Sequence, residues 1–255
     1  MGMVDDDVGL VTGGGGGIGR AASVLFAAEG ANHVAVIDID EKSACRTAEQ
    51  VETAGATSEV YAVDVTDEDA VAAAVESVVV GHGRLDAAFN NAGISDSSST
   101  FHELEIERWS RMLATNLTSV FLCMKHELRQ MSAQKSGGAI VNTSSGAGVV
   151  PAPGQVHYTA AKHGILGLTR SAAAEYRRSG VRCNSVLPGM VDTPMLTGPD
   201  GQLSERAAAT LKRMSPTGEL LKPEQIAAVA VWLCSDMASA INGQAVVADG
   251  GGILR

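Results

Sequence analysis

The sequence predicts a doubly wound α/β fold, a single-domain Rossmann-like parallel sheet of about seven strands with helices on both faces. Three observations carry this reading. Short apolar runs alternate with longer stretches of helical period. Several of those runs are apolar at nearly every position, as strands covered on both faces must be. A run of five glycines, Gly13 to Gly17, stands between the first strand-like and the first helix-like segment, where such sheets make their first sharp turn.

Strands are read at VGLV (8–11), HVAVID (33–38), EVYAVDV (59–65), LDAAFNN (85–91), AIVNTSS (139–145), VRCNSVLPG (181–189) and QAVVAD (244–249). Between them, RAASVLFAAEG is helical and ends at Gly30 as a C-cap. TDEDAVAAAVESVVVGHG opens on Thr66 as N-cap, with acids in the first turn where the helix dipole favours them. ERWSRMLATNLTSVFLCMKHELRQM is long enough for six turns, and PEQIAAVAVWLCSD starts with Pro223 in its first turn. No internal repeat and no interdomain linker interrupts the pattern, so residues 1–255 read as one domain. The segment 190–222, with TGPDG and SPTG, is the least regular and is expected to form a mobile flap.

A chain of 255 residues with 45% hydrophobic content can bury one large core. The net charge of -10 argues against nucleic-acid and anionic-membrane partners, both of which would be repelled. Cys45, Cys123, Cys183 and Cys234 are scattered and form no C-x-x-C pair, which suits reduced thiols. The opening MGMVDDDVGL has no cationic region of an export signal, and no apolar run is long enough to cross a bilayer. A soluble cytoplasmic protein is the expectation. The six histidines show no H-E-x-x-H or Cys/His ligand spacing, so they read as bystanders and no metal is expected.

A glycine run alone also suits a linker or a plain tight turn. Between a strand and a helix it can instead bring backbone N–H groups against a phosphate. The spacing T-G-x-x-x-G-x-G is met by Thr12, Gly13, Gly17 and Gly19. Asp38 ends the second strand, 19 residues after Gly19. A carboxylate there can accept from the ribose hydroxyls of NAD and would repel the 2′-phosphate of NADP. Asp38 and Asp40 are alternatives for this role and for capping the next helix.

HYTAAKHG places Tyr158 and Lys162 four residues apart on one helix face. An ammonium group close to a phenol favours the phenolate and so makes a better base. Ser145, at the end of AIVNTSS, can hydrogen-bond a substrate oxygen; its rival Ser144 would be turned away by strand alternation.

With these residues in view, the chain resembles a short-chain dehydrogenase/reductase of the single-domain, NAD-linked branch. TGGGGGIG, NNAG (Asn90 to Gly93), TNL with Asn116, NTSS with Ser145, YTAAK and NSVLPGMVDT (Asn184 to Thr193) occur in the family's order along nearly the whole chain. The resemblance implies that Tyr158 is the acid/base, that Lys162 lowers its pKa and binds the nicotinamide ribose, and that Ser145 positions the substrate oxygen. Asn116 would hold a water in a proton relay through Lys162. Gly13, Gly17, Ile18 and Gly19 would form the phosphate loop. Asp64 and Val65 would approach the adenine, and Asn90, Ala92 and Gly93 would contact its ribose side, Asn90 through its backbone. Pro188, Gly189, Val191 and Thr193 would line the nicotinamide end. It further implies a homotetramer, or a dimer, with helices around Asn116 and Tyr158 at one interface.

The expected activity is NAD(H)-dependent interconversion of a small secondary alcohol, cyclic alcohol or diol and its ketone. An NADPH-linked 3-oxoacyl-carrier-protein reductase and a non-catalytic dinucleotide sensor are the alternatives. Two departures stand out: Asn242 where the family often has Thr, and Gly218-Glu219 where it often has Gly-Arg. The second puts in doubt a carried-over ion pair near the flap. A pocket from Ser95, residues 146–156 and Met190 to Leu196 would be mainly apolar.

Overall fold

Each apolar run becomes a strand, and the seven strands form one parallel sheet. They are β1 (Val8–Thr12), β2 (His33–Asp38), β3 (Thr57–Ala62), β4 (Ala87–Asn90), β5 (Gly138–Thr143), β6 (Val181–Pro188) and β7 (Ala245–Ala248). Their order is β3-β2-β1-β4-β5-β6-β7. The chain runs outward from β1 in one direction, then returns to add β4 on its other side, and this reversal opens a crevice above the C-terminal ends of β1 and β4. The computed structural model describes residues 2–198 and 201–254.

Strand alternation sorts the apolar side chains into two cores. Val34 and Val36 of β2, Phe89 of β4 and Val141 of β5 join Phe26, Ile226 and Leu233 on one face. Helices α1 (Gly17–Ala28), α2 (Glu41–Thr53) and α9 (Pro223–Cys234) cover that face. Ala35, Ile37, Ala88 and Ile140 point the other way, onto Val78, Met131 and Ile165 of α3 (Glu68–His82), α5 (Ser119–Ala133) and α6 (Val156–Tyr176). Burying each of these large side chains contributes roughly 1.5–3 kcal/mol.

Two boundaries differ from the sequence reading for local reasons. Helix α3 is capped by Asp67, whose carboxylate accepts from Ala70 N–H at 3.1 Å, not by Thr66. Thr66 is held one step earlier, giving both its N–H and its hydroxyl to Asp64. The long stretch ERWSRMLATNLTSVFLCMKHELRQM is α4 (Ile106–Leu113) joined to α5 through a π-turn at Ala114–Thr118. The expected flap holds two helices, α7 (Pro194–Thr197) and α8 (Glu205–Met214). Part of TGPDG, residues 199–200, lies outside the described residues.

A row of polar side chains crosses the second core. Asn90, Asn142 and Ser185 are register neighbours on β4, β5 and β6. Asn90 Nδ2 donates to Glu127 Oε2 (2.9 Å) and Asn142 Oδ1 (3.1 Å), Asn142 donates to Thr169 Oγ1 (3.0 Å), and Thr169 and Ser185 share a bond of 2.7 Å. All five residues are buried. Asn90 Oδ1 and Glu127 Oε1 are buried and have no hydrogen-bond partner. Burial pushes the Glu127 carboxyl from 4.5 up to about 7, against the opposing hydrogen bond from Asn90.

A raised carboxyl stabilises the folded state fully below its unfolded pKa, and that contribution is lost as pH rises through the folded value. Between pH 4.5 and 7 the wild-type protein is therefore expected to lose roughly 3 kcal/mol of stability that a Glu127→Gln variant keeps. Urea unfolding of both proteins across that window checks it; parallel profiles would contradict a protonated Glu127.

Candidate active site

The cleft above the strand ends has a volume of about 1500 Å³. At one end the residues after β1 form its floor. Gly13 (φ 64°) and Gly17 (φ 49°) hold left-handed conformations that side chains rarely adopt. The turn is also pressed against its surroundings. A Cβ on Gly13 would come within 2.9 Å of Ala92 Cα, and one on Gly19 would overlap the Gly13 carbonyl. Gly16, the N-cap of α1, carries no capping side chain, so the first N–H groups of the helix are left for an anion.

Asp38 and Asp40 divide their roles. Asp40 caps α2 through Ser43 N–H and lies outside the cleft lining. Asp38 lines the cleft, its Oδ2 accepting from Gly15 N–H at 2.8 Å and its Oδ1 from Asp40 N–H at 2.9 Å. The carboxylate is thus locked beside the glycine turn with lone pairs to spare for hydroxyl donors. The nearby cation, Arg20, is committed to the Gly15 carbonyl and to Thr47 Oγ1. A tight glycine turn, an uncapped helix start and a fixed carboxylate at the end of β2 fit the diphosphate and ribose of a dinucleotide.

Across the cleft, α6 delivers Tyr158 and Lys162 to one face, with Lys162 Nζ 5.6 Å from the centroid of the phenol ring. Lys162 is buried and its ammonium donates to the Thr143 carbonyl at 2.8 Å. Burial alone pulls Lys162 down to about 8. Burial also pushes the Tyr158 phenol above its ordinary value, while a hydrogen bond with Ser145 works the other way. Lys162 directs its ammonium to the Thr143 carbonyl, and burial leads in setting the proton affinity of the phenol. Ser145 lines the cleft and accepts from Ala147 N–H. Ser144 also borders the cleft but is buried and donates its hydroxyl to the Lys162 carbonyl at 2.8 Å.

Asn116 sits in the π-turn, fully buried, with Oδ1 accepting from Ile94 N–H (2.7 Å) and Nδ2 donating to Ile94 O (2.8 Å). Both bonds pin the strand-end loop that carries Gly93. A Cβ there would lie 3.2 Å from Asn116 Oδ1 and 3.8 Å from Lys162 Nζ, so Gly93 is the loop position that both side chains approach.

Gly13, Gly17, Ile18, Ala92, Gly93, Pro188, Gly189, Val191 and Thr193 line the cleft with Asp38, Ser145, Tyr158 and Lys162. Gly19, Asp64, Val65, Asn90 and Asn116 do not. Gly19 packs the helix onto the turn. Asp64 is exposed and bonds Thr66, and Asn90 points its side chain into the core network. The substrate end is less apolar than its sequence suggests. Asp96 lines it, accepting from Arg108 Nε at 2.8 Å and facing His157 Nε2 at 3.3 Å. The Arg108 bond leads in holding the Asp96 carboxyl well below the usual range, with His157 contributing. Arg206 and Arg213 of α8 and Glu219 also reach the cleft. These residues come from loops and helices far apart in sequence, and no spacing signals them.

The glycine geometry gives a paired test. Gly19→Ala is expected to destabilise the protein by about 1–3 kcal/mol, because the methyl group meets backbone. Gly16→Ala, with an extended backbone (φ -161°) and open space around it, should stay within ~0.5 kcal/mol of wild type. Chemical denaturation of both variants distinguishes them.

A sequence profile of the family described as enoyl-(acyl carrier protein) reductase matches residues 13–252. A 2,5-dichloro-2,5-cyclohexadiene-1,4-diol dehydrogenase of Sphingobium indicum is 41% identical over 244 residues, 95% of either chain. A cis-4-hydroxycyclohexanecarboxylate dehydrogenase of Sinomonas cyclohexanicum is 42% identical over 244 residues, 96% of this chain and 95% of the relative. The crystal structure of carveol dehydrogenase from Mycobacterium avium in complex with NAD superposes with a TM-score of 0.93 over 100% of both chains, at 29% identity. With the strand order, the glycine turn and the Ser–Tyr–Lys face in place, this chain belongs to the short-chain dehydrogenase/reductase family and is an oxidoreductase.

Proposed function

We propose that the protein interconverts a cyclic secondary alcohol or diol and its ketone, using NAD(H), with Tyr158 as the acid/base. The observation that carries this reading is the convergence of Ser145, Tyr158 and Lys162 on one wall of a cleft whose far end holds the glycine turn and Asp38. The names of the two curated relatives, a cyclohexadienediol dehydrogenase and a hydroxycyclohexanecarboxylate dehydrogenase, support a ring alcohol. When bound, NAD supplies the hydride acceptor, the chemistry no side chain here can provide.

The rest falls to the chain. Ser145 donates to the substrate oxygen and holds it against the phenol. Tyr158 takes the hydroxyl proton in oxidation and returns it in reduction. Lys162, fixed by the Thr143 carbonyl, presents its ammonium to the nicotinamide ribose and, at about 8, is poised to pass on the proton that the phenol gains. Asn116 holds the loop behind Lys162 and lends the π-turn carbonyls to a relay water. Gly13, Gly17, Ile18 and Gly19 take the diphosphate, and Asp38 the adenosine ribose. Asp64, Val65, Asn90, Ala92 and Gly93 flank the adenosine half, and Pro188, Gly189, Val191 and Thr193 the nicotinamide.

Tyr158→Phe is expected to lower kcat for a cyclic secondary alcohol by at least about 10³-fold while NAD affinity stays within a few-fold of wild type. NADH absorbance and cofactor titration measure the two. Retained turnover would refute the role of Tyr158. Tighter binding of NADP than of NAD would refute the role of Asp38 and favour an NADPH-linked reductase.

We also propose a homotetramer in the cytoplasm, with the described residues of the flap near 190–222 moving over bound substrate. Phe121 on α5 is 49% exposed and Val247 on the edge strand β7 is 41% exposed, surfaces that suit burial against further copies. None of the helices in the described residues is long and apolar enough to cross a membrane. Light scattering should give four chains per particle for wild type and fewer for Phe121→Arg; a wild-type monomer would end the assembly proposal.

A further inference from the structure

At the end of the sheet opposite the cleft, the fold gathers two histidines and a carboxylate that the oxidoreductase site does not use. His33 is the first residue of β2 and His82 the last of α3, and Glu59 lies on the edge strand β3. One ligand atom from each lies within 4.8 Å of the others. The imidazole rings of His33 and His82 stack, with centroids 3.8 Å apart and planes 26° from parallel.

The hydrogen bonds fix which nitrogen of His33 is free. Thr57 donates its hydroxyl hydrogen to the Asn32 carbonyl at 3.0 Å. Its oxygen lies 2.9 Å from His33 Nδ1, so Nδ1 has a partner and Nε2 is the nitrogen left over. That Nε2 is buried and has no hydrogen-bond partner, in a residue only 1% exposed. A buried ring nitrogen with no partner is costly. One ring nitrogen anchored and the other bare is how histidine is held when it ligates a metal. Glu59 is oriented likewise by a hydrogen bond from the Tyr61 hydroxyl.

We propose that His33, His82 and Glu59 form a binding site for a borderline divalent transition cation of the Zn²⁺ class, with water completing the coordination. Two imidazoles and one carboxylate are the donor set such ions prefer over Mg²⁺ or Ca²⁺. Around a tetrahedral ion with bonds of ~2.0–2.1 Å, ligand atoms stand about 3.3 Å apart. The cluster must therefore contract by up to about 1.5 Å from its 4.8 Å span. Glu59 is exposed and His82 half-buried at a helix end, so these two can move onto the fixed His33. Bound there, the ion ties β2, β3 and α3 together and stabilises the fold without entering the cleft.

The metal-free protein, prepared by chelation and dialysis, is titrated with Zn²⁺ against a chromophoric competitor and, separately, with Co²⁺. Wild type is expected to bind one equivalent at this site, with Co²⁺ absorption in the visible and a Tm that rises with Zn²⁺ concentration. His82→Phe keeps an aromatic ring on His33 but removes a ligand, and Glu59→Gln keeps the shape but removes the charge. Each should weaken that equivalent at least about tenfold and remove most of the Tm rise. Equal Zn²⁺ binding by wild type and His82→Phe, or a wild type that takes up no equivalent, would overturn the proposal. The readout is metal binding itself, so failure of the oxidoreductase reading leaves it intact.

Discussion

The cleft depends on a set of hydrogen bonds that ties the ends of three parallel strands at one level. Thr12, last in β1, accepts from the N–H groups of both Asn91 and Ala92 beyond β4. Asn91 accepts from Thr143 at the end of β5 and reaches back to the Gly13 carbonyl. Lys162 closes the set by donating to the Thr143 carbonyl. Parallel strands splay where their ladder ends, and their last backbone groups need partners. Here the partners are the side chains and main chain that also form the cleft wall. The glycine turn, the NNAG loop and the acid/base helix therefore share one frame, and a shift in any strand end would move all three.

That frame explains why small residues crowd one end of the molecule. Gly13 faces Ala92, and Gly19 packs on Gly13. Larger side chains would push β1, β4 and α1 apart before any ligand met them. The Asn242 departure fits the same logic. Its Oδ1 accepts from Cys183 N–H at 2.9 Å, a backbone partner that a shorter threonine would reach differently. Behind the frame, the row from Glu127 through Asn90, Asn142 and Thr169 to Ser185 gives the sheet a polar rib. Such a rib fixes register, because a slip by one residue would bury its amides against apolar neighbours.

Much of this was legible in the sequence because it is local. Apolar runs set the strands, and the 19-residue step from Gly19 to Asp38 set the two ends of one βαβ unit. The four-residue step from Tyr158 to Lys162 put both on one helix face. What was hidden depends on contacts distant along the chain. Thr66 and Asp67 are both good caps, and only the bond from Thr66 to Asp64 shows why the cap falls one residue later. Asp96 lines the cleft, bonded to Arg108 and facing His157, and the three come from separate segments. His33 and His82 are 49 positions apart and match no ligand spacing, yet the crossing of β2 by α3 stacks their rings.

The Tyr–Lys pair marks the boundary between the two kinds of information. Spacing fixes that the groups share a face, but their proton affinities follow from burial. The phenol is pushed up and the amine pulled down to about 8, so both shifts favour the neutral form of each group. A buried pair of this kind is sensitive to any charge brought beside it. A cation stabilises the phenolate and further disfavours the ammonium, so both groups release a proton more readily. The frame of strand ends thus does more than position a base: it holds two weakly charged groups where the charge of a bound molecule sets how readily both give up a proton.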